Sequence, residues 1–465
     1  MLMTDGSGRL LMIQRSDIKV SVVALGCSKN LVDAECMSTK LREAGYSISD
    51  SSDDSQVVII NTCGFIEAAK KEAIDTILKA GDLKYGFNGS KKVEHIIVTG
   101  CLSQRYPDDI LKQMPEVDIV LGTSDYGSIV EAVDSLYEGK SDFKKKYECK
   151  AGGMEHLMSD RDVSTNGYAW LKIGEGCLHR CAFCAIPLIR GTFVSRPMEE
   201  ILEEARSIAS KGYKEIVLTA QDTTNYGVEL YKKRMLPELL NKISQIDGIE
   251  VIRVLYGYMD GIDEELINTI KNNPKIAHYL DIPIQHGCDR ILKAMKRHDT
   301  VDVITRKLEM IRKNIPDITI RSTVLVGFPG ETEEDFNELI ENLKKWKFDR
   351  LGCFAYSPEE DTPAFDMPDQ VDEKTKADRV RIVYETQYPI SMASSEARVG
   401  TETYVTIDSV ADDGIFYVGR SYAEAPDDDP VIYVAASEAE LQIGGRYKVK
   451  LVESHDSFDL TGVTV

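Results

Sequence analysis

Apolar residues in the first third of the chain form short continuous runs that alternate with longer stretches of helical period. Four runs rich in β-branched residues predict strands, and apolar spacings of three and four between them predict amphipathic helices. The strands are predicted at 18–24, 57–61, 95–99 and 117–121, and helices at 30–44 and 66–79. Because strands that alternate with helices favour a parallel sheet, residues 17–137 are predicted to form a small α/β domain.

The same alternation starts again at Tyr168 and extends over the next 190 or so residues. Strands are predicted at 169–173, 215–219, 251–255, 278–282, 319–326 and 351–354, with helices at 197–211, 236–244, 263–271, 301–314 and 332–345. Six βα units are typical of a partial (β/α)6 barrel, which is smaller than the closed eight-unit form. A long helix over 372–397 then leads out of this second domain, which spans 166–396.

The last domain, 397–465, changes character. Short β-type runs at 402–409, 414–420, 430–435 and 447–454 are separated by Gly, Asp and Pro. This pattern predicts a small antiparallel β-barrel similar to the OB fold. The fold class is therefore α/β, with three domains. Residues 138–165 are polar and predict a linker, and residues 1–16 predict a disordered extension.

Composition narrows the class of partner and the cellular compartment. The formal charge is −21, from 56 Lys and Arg against 77 Asp and Glu, so long-range repulsion makes nucleic acid an unfavourable direct substrate and favours a basic protein. No apolar run is long enough for a membrane span. Ten cysteines without an export signal predict metal or redox chemistry in a reducing cytoplasm, because structural disulfides belong to oxidising compartments.

Three of the cysteines form a C-x3-C-x2-C loop directly after the first predicted barrel strand, where barrel enzymes carry catalytic groups. They are Cys177, Cys181 and Cys184. Three thiolates hold three irons of a 4Fe–4S cluster and leave the fourth iron open. S-adenosylmethionine can chelate that iron and be cleaved by one electron to a 5′-deoxyadenosyl radical.

Two other interpretations of the loop are a zinc site and an electron-transfer module. His179 offers a fourth zinc ligand, although structural zinc sites usually show paired C-x2-4-C knuckles, and no second knuckle is present. An electron-transfer module has no need of a six-unit barrel.

Residues 175–197, which contain this loop, closely resemble the radical loop of the radical S-adenosylmethionine methylthiotransferases. The resemblance extends from Gly26 to the C-terminus, and 26–30, 61–65 and 99–101 are similar to the three ligand segments of that family's N-terminal domain. It implies that Cys27, Cys63 and Cys101 hold a second 4Fe–4S cluster, whose open iron carries the sulfur to be transferred. Each of these cysteines follows a predicted strand or its end, so βα folding favours a position for all three at one sheet edge. Their spacing alone is weak support for a shared site.

Segments 220–223, 281–286 and 326–332 also match the family, and each follows a predicted barrel strand. The predicted contacts to S-adenosylmethionine are Gln221, Asp222, Gln285, Arg321 and Gly327. Other interpretations stay open: the last segment is also a strand-to-helix turn with Thr332 as the N-cap, and Arg321 is a candidate for a structural ion pair.

The family acts either on adenosine in transfer RNA or on an aspartate of the twelfth small-subunit ribosomal protein. Segments 25–35, 281–286 and 352–364 resemble the ribosomal-protein branch. The tail, which the family calls a TRAM domain, agrees, because its five basic and thirteen acidic residues give it a charge of −8, whereas a tail that binds transfer RNA should be basic. The resemblance implies two uses of S-adenosylmethionine: one molecule methylates the bound sulfur, and another yields the radical. It also implies an electron donor and a sulfur source, neither of which the sequence identifies. The transfer-RNA enzyme is the alternative.

Overall fold

The computed structural model describes residues 14–86, 92–138, 152–436 and 440–465, together with the backbone of 2–4 and 10–12. The chain divides into two compact units. The first comprises Met1–Ser164, Gly174–Leu178 and Ala185–Val194, and the second comprises Thr165–Ile173, His179–Cys184 and Ser195–Val465. Within the described ranges, no helix is both long and apolar enough to cross a membrane.

The first unit is built around a five-stranded parallel sheet. Its elements up to residue 138 are β1 (Leu2–Thr4), β2 (Leu10–Met12), β3 (Lys19–Ala24), α1 (Ser28–Glu43), β4 (Ser47–Ile48), β5 (Val57–Thr62), α2 (Glu67–Tyr85), β6 (His95–Gly100), α3 (Cys101–Arg105), α4 (Pro107–Gln113), β7 (Ile119–Val120) and α5 (Ile129–Tyr137). The strand order is β4-β3-β5-β6-β7. The predicted α/β domain is thus present.

The position of β5 in the middle of the sheet explains why residues 57–60 form a continuous apolar run. All six of its residues are buried. Val57 and Ile59 belong to the core shared with α1 and α5, whereas Val58 and Ile60 belong to the core shared with α2 and α4. Because successive side chains point to opposite faces, a strand covered by helices on both sides must be apolar at nearly every position.

Two segments differ from their predicted states. In the extension, predicted as disordered, β1 and β2 pair antiparallel, with Leu2 opposite Met12. Of the predicted linker, residues 139–151 lie outside the described residues. Its second half packs on α1 through a buried hydrogen bond between His156 and Asp33 and a buried ion pair between Arg161 and Glu35. The polar sequence that predicted a linker therefore supplies partners for the carboxylates of α1.

The chain then enters the second unit at Thr165. The elements from there on are β8 (Tyr168–Lys172), β9 (Gly174–Glu175), α6 (Ile186–Arg190), β10 (Val194–Ser195), α7 (Met198–Ser210), β11 (Glu215–Thr219), α8 (Val228–Tyr231), α9 (Leu236–Ser244), β12 (Val251–Val254), α10 (Glu264–Asn272), β13 (Tyr279–Asp281), α11 (Asp289–Ala294), α12 (Val301–Asn314), β14 (Thr319–Val326), α13 (Glu333–Trp346), β15 (Arg350–Ala355) and α14 (Glu373–Glu396). Of these, β9 and α6 belong to the first unit.

Six parallel strands of the second unit form the predicted partial barrel. They are arranged as two three-stranded sheets, β12-β11-β8 and β13-β14-β15, with a bridge from Ile252 to Ile276 beside β13. Helix α13 begins with a capping box, because the Thr332 hydroxyl accepts from the Asp335 amide and the Asp335 carboxylate accepts from the Thr332 amide. Thr332 is therefore an N-cap, as expected if segment 326–332 is a strand-to-helix turn.

The C-terminal domain is a closed five-stranded barrel. Its strands are β16 (Glu402–Val410), β17 (Tyr417–Arg420), β18 (Ile432–Ala435), β19 (Arg446–Ser454) and β20 (Leu460–Thr464), in the order β16-β17-β18-β20-β19. The sequence patterns predicted four of these strands. The fifth, β20, was missed, and it pairs parallel with β18, so the barrel is antiparallel in all but one pair.

The acidic run of the tail has partners within the second unit. Asp427 accepts a hydrogen bond from Tyr168 at 3.0 Å, and Asp429 accepts one from Tyr279 at 2.6 Å. Asp428 lies 3.3 Å from the guanidinium of Arg321. The charge of −8 that favoured a basic partner is therefore partly neutralised within the chain.

We expect the ion pair between Arg398 and Glu424 to make stability depend on pH. Burial alone raises the pKa of the Glu424 carboxyl, but the charge and hydrogen bonds of Arg398 outweigh burial and lower the pKa to about 2. A carboxyl with a depressed pKa stabilises the fold above its unfolded pKa and loses that contribution as pH falls through the folded value. Arg398→Met should therefore reduce the free energy of unfolding by roughly 3 kcal/mol at pH 7.

This loss is expected to shrink as pH falls from about 4.5 towards 2, because Glu424 becomes protonated in both states. Urea unfolding of the two proteins at several pH values measures it. Lys448→Met is the matched control, since its ion pair with Glu402 is exposed and should contribute little. An equal loss at pH 7 and pH 3 would contradict the assignment.

Candidate active site

Three adjacent strands place three cysteines at one edge of the first unit's sheet. Cys27 follows β3 as the N-cap residue of α1, Cys63 directly follows β5, and Cys101 directly follows β6 as the first residue of α3. The strands β3, β5 and β6 are neighbours and run parallel. Their carboxyl ends therefore lie on the same edge, which is the placement that the βα alternation predicted.

Two glycines keep this edge free of other side chains. Gly26 has a φ of +88°, and a Cβ there would lie 2.7 Å from the Cβ of Cys63. Gly100 has a φ of +101°, and a Cβ there would lie 2.4 Å from the Thr62 carbonyl oxygen. Both the backbone angle and the space require glycine, so these two residues allow the loops that carry Cys27 and Cys101 to approach Cys63.

Asn30 ties the loops around the three cysteines to one another. Its side-chain amide donates to the carbonyls of Leu25 at 2.8 Å and Thr62 at 3.1 Å. The Cys101 thiol lies 3.9 Å from its Oδ1 atom. Asn61 in turn donates to the Asn30 carbonyl at 2.8 Å. A side chain that satisfies buried backbone carbonyls of two loops fixes their separation.

The three thiols interact electrostatically. Burial, together with the charges of Cys101 and Cys27, raises the pKa of the Cys63 thiol to about 12. Burial also raises the pKa of Cys101. Among the described residues, none of the nine cysteines forms a disulfide bond. Thiols that oppose one another's ionisation suit a cationic iron centre, which supplies the positive charge that holds them as thiolates.

A buried arginine contacts this set of cysteines, and no sequence motif indicated it. Arg190 ends α6, and its Nη2 atom donates to the Cys101 sulfur at 3.4 Å and to Asn30 Oδ1 at 2.5 Å. Its Nη1 atom donates to Asp33 at 3.0 Å and to Glu175 at 2.8 Å. All of these residues belong to the first unit. The contact to sulfur arises only in the folded chain, because 89 residues separate Arg190 from Cys101.

The C-x3-C-x2-C loop follows β8 and passes from one unit to the other. Cys177 belongs to the first unit, where its amide donates to the Gly191 carbonyl at 3.2 Å. Cys181 and Cys184 belong to the second, where the Cys184 amide donates to the Cys181 carbonyl at 3.1 Å. The ligand role of the three residues stays a prediction.

An aromatic stack lies against Cys181, and sequence reasoning missed it. The Tyr258 hydroxyl is 3.2 Å from the Cys181 sulfur. The His179 ring stacks on the Tyr258 ring with centroids 3.6 Å apart, and the Arg297 guanidinium lies 4.0 Å from the same centroid. Packing between a histidine and a cation fixes the orientation of the phenol.

His179, offered above as a fourth zinc ligand, also has a partner in the second unit. Its Nε2 atom donates to the Asp222 carboxylate at 2.8 Å. The other oxygen of that buried carboxylate accepts from the Thr224 amide and hydroxyl. Asp222, predicted as a cofactor contact, therefore orients the histidine of the radical loop in this structure. Gln221 precedes it and lies two residues after the end of β11.

Two more predicted contacts lie past the ends of barrel strands. Gln285 follows β13 and bridges to β14, where its amide donates to the Thr323 carbonyl at 2.9 Å. Gly327 follows β14 directly, and its amide donates to the buried carboxylate of Glu331 at 2.9 Å. Arg379 holds that carboxylate from α14 at 2.8 Å. This buried ion pair fixes the glycine turn, and sequence reasoning did not identify Arg379.

Arg321 is the predicted contact whose environment differs from the expected one. It is the third residue of β14, so it lies well before the strand's carboxyl end. Its guanidinium is 3.8 Å from Asp281, 3.3 Å from Asp428 and 3.6 Å from Asp429. These are the contacts of a structural ion pair, the second interpretation of this residue. Its role as a cofactor contact stays a prediction.

Across the described ranges, no group of three or more His, Cys, Asp or Glu side chains is arranged to hold a metal ion. A 4Fe–4S cluster distributes its thiolate ligands over different irons, so its ligands lie farther apart than those of one ion. The donor sets at both candidate sites, three thiols each, are of the type that such clusters take.

Comparison with known families divides the chain as its fold does. Residues 19–122 match the uncharacterized protein family UPF0004, residues 171–343 match the radical SAM superfamily, and residues 399–465 match the TRAM domain. The first match spans the parallel sheet, the second spans the barrel strands up to β14, and the third spans the closed barrel.

Full-length relatives decide the family. The ribosomal protein uS12 methylthiotransferase RimO of Acetivibrio thermocellus is 46% identical over 452 residues, which cover 96% of this chain and 98% of that protein. The enzymes of the same name from Caldicellulosiruptor saccharolyticus and Clostridioides difficile are 45% and 42% identical, each over 96% of this chain. The chain belongs to the uS12 methylthiotransferase family. The transfer-RNA branch is not favoured.

Solved structures of more distant enzymes share the fold of this family member. The radical S-adenosylmethionine methyltransferase TsrM from Kitasatospora setae matches with a TM-score of 0.54 at 13% identity, over 75% of this chain and 77% of TsrM. The cobalamin-dependent radical enzyme OxsB matches with a TM-score of 0.53 at 13% identity, over 80% of this chain and 57% of OxsB. At such identities the likeness establishes the fold alone.

Proposed function

We propose that this chain adds a methylthio group to the β-carbon of an aspartate in ribosomal protein uS12. The observation that carries the proposal is the presence of two separate three-cysteine sets in a member of the uS12 methylthiotransferase family. One set, Cys27, Cys63 and Cys101, lies at one sheet edge. The other lies in the loop after β8. Three ligands in each set leave one iron open for a substrate.

The proposed cofactors are two 4Fe–4S clusters and S-adenosylmethionine. Cys177, Cys181 and Cys184 would hold the first cluster, and Cys27, Cys63 and Cys101 would hold the second. When bound, these groups supply the electron that cleaves S-adenosylmethionine, the radical that removes hydrogen from the aspartate β-carbon, and the sulfur that is methylated and transferred. Such a C–H bond is beyond acid–base catalysis, which is why cofactor chemistry is required.

The chain's own residues would bind S-adenosylmethionine and orient the loops around it. We propose Gln221, Gln285 and Gly327 as contacts to S-adenosylmethionine, because each follows the carboxyl end of a barrel strand. Asp222 orients His179, and the ion pair of Glu331 with Arg379 holds the turn at Gly327. Fixing the reacting groups before the reaction lowers its entropic cost.

A basic ribosomal protein is the proposed partner, rather than RNA. The chain carries a charge of −21, and carboxylates on the surface of the C-terminal barrel, such as Asp412, Asp413 and Asp456, are exposed. These exposed residues, and not the internally paired acidic run, carry the electrostatic argument. We infer that the reaction takes place in the cytoplasm, where cysteines stay reduced, and that a separate protein donates the electron.

Anaerobic turnover with competing substrates tests the proposal. The reconstituted chain would receive reductant, S-adenosylmethionine, uS12 and an isopentenylated transfer RNA, and mass spectrometry would follow both substrates. The expected result is a methylthio group on an aspartate of uS12, together with 5′-deoxyadenosine. Modification of the RNA alone would contradict the substrate. Formation of 5′-deoxyadenosine with neither substrate changed would also overturn it.

A further inference from the structure

Arg190 has a cysteine sulfur among its hydrogen-bond partners. The side chain is almost completely buried. Its Nη2 atom donates to Cys101 and Asn30, and its Nη1 atom donates to Asp33 and Glu175. Each terminal nitrogen of a guanidinium carries two protons, so these four contacts use all of its terminal donors.

The helix that carries Arg190 is fixed against the cysteine edge. Ile189 and Ala185 of α6 pack in a small buried cluster with Cys101. The Thr123 hydroxyl also donates to the Ile189 carbonyl at 3.2 Å. The acceptors are held as well, since Asp33 contacts His156 through its second oxygen and Asn30 is bonded to two backbone carbonyls. The guanidinium is therefore held in place from both sides.

The chemistry of the site gives this cation a role. Two carboxylates and the Cys101 sulfur contact Arg190, and a cluster held by three thiolates would add further negative charge in its reduced state. A buried negative group is costly unless it is paired and hydrogen-bonded. Hydrogen bonds to cluster sulfurs and nearby charge are among the factors that set the potential of a 4Fe–4S centre.

We propose that Arg190 is a positioning residue for the cluster of Cys27, Cys63 and Cys101: it donates to the Cys101 sulfur, raises the reduction potential of that cluster and helps to retain its iron. This rests on the proposed function, since it takes the three cysteines as ligands. It also makes α6, which begins two residues after Cys184, a part of the second cluster's environment.

The test uses the full-length chain with Cys177, Cys181 and Cys184 replaced by alanine, so that only the second cluster is loaded. Redox titration followed by electron paramagnetic resonance would give its potential, and transfer of iron to a chelator would give its retention. For Arg190→Gln we expect a more negative potential, because loss of the cation disfavours the reduced state. We also expect iron retention about 10- to 100-fold weaker, the usual cost of losing an outer partner of a metal ligand.

Arg190→Lys keeps the charge but not the fork of donors, so an intermediate potential is expected. Arg196→Gln is the matched control. Arg196 is equally buried and contacts Glu204 and the Lys172 carbonyl, and its hydrogen bonds include none to a cysteine. Arg196→Gln should lower the free energy of unfolding without changing the reduction potential of the second cluster. If Arg190→Gln does not fold, the reduction potential of Arg190→Lys tests the proposal: a value below that of the parent chain supports it, and an unchanged value contradicts it.

If the Arg190 variants have the same reduction potential and iron retention as the parent chain, the role of Arg190 is contradicted, but the proposed function is not. An equal shift in Arg196→Gln would also overturn it, because the effect would then be general loss of structure. If the parent chain gave no 4Fe–4S signal, the second cluster itself, and with it the proposed function, would be contradicted.

Discussion

Replacement of Cys27, Cys63 and Cys101 by serine is expected to abolish methylthio transfer to uS12 while S-adenosylmethionine is still cleaved to 5′-deoxyadenosine. The proposed radical loop uses three other cysteines, so its chemistry does not need this set. Transfer should fall by more than about 100-fold, since losing a ligand costs more than losing its outer partner. Parallel assays of 5′-deoxyadenosine and of methylthiolated uS12 measure the separation.

Cys36→Ala is the matched control for this variant. Cys36 lies in α1 of the same unit and is buried, but it is not one of the three predicted ligands. It should keep transfer and iron content close to wild type, with only the modest loss of stability that follows from a small cavity. Undiminished methylthio transfer by the triple variant would contradict the proposal that these three cysteines hold the cluster that supplies the sulfur.

The double variant Cys181→Ala/Cys184→Ala is expected to lose both 5′-deoxyadenosine formation and methylthio transfer. Without these thiolates, no open iron remains in the loop to bind S-adenosylmethionine. Iron content should fall by about half, because the second three-cysteine set is intact. Iron and sulfide analysis together with single-turnover assays under anaerobic conditions measure these effects.

Cys353→Ala serves as the control in the second unit. Cys353 is a buried residue of β15, where burial raises the pKa of its thiol to about 12 and so leaves it neutral. This substitution should retain both activities. Continued production of 5′-deoxyadenosine by the double variant would contradict the assignment of the radical loop.

Much of the fold could be predicted because its signals are local. The strand at Thr319–Val326 and the helices at Leu236–Ser244 and Val301–Asn314 have the predicted bounds, since apolar period and caps lie within each segment. The placement of Cys27, Cys63 and Cys101 also followed from the pattern. Carboxyl ends of adjacent parallel strands share an edge, whatever the loop lengths.

The rest depends on contacts between residues that are distant in sequence. Nothing local distinguishes Arg190, which contacts Cys101, from Arg196, which contacts Glu204. Arg321 was predicted as a cofactor contact or a structural ion pair, but nothing local identified Asp428, which is 107 residues away, as its partner. Polar residues are ambiguous in sequence because the same side chain suits a solvent-exposed loop, a ligand site or a buried pair.

Deuterium transfer tests the central claim most directly. uS12 with deuterium at the β-carbon of its aspartates would be turned over anaerobically with the reconstituted chain and S-adenosylmethionine. We predict one deuterium in the 5′-deoxyadenosine that is formed, and loss of one from the aspartate that gains the methylthio group. Methylthiolated uS12 accompanied by unlabelled 5′-deoxyadenosine, or labelled protein left unmodified while S-adenosylmethionine is consumed, would contradict it.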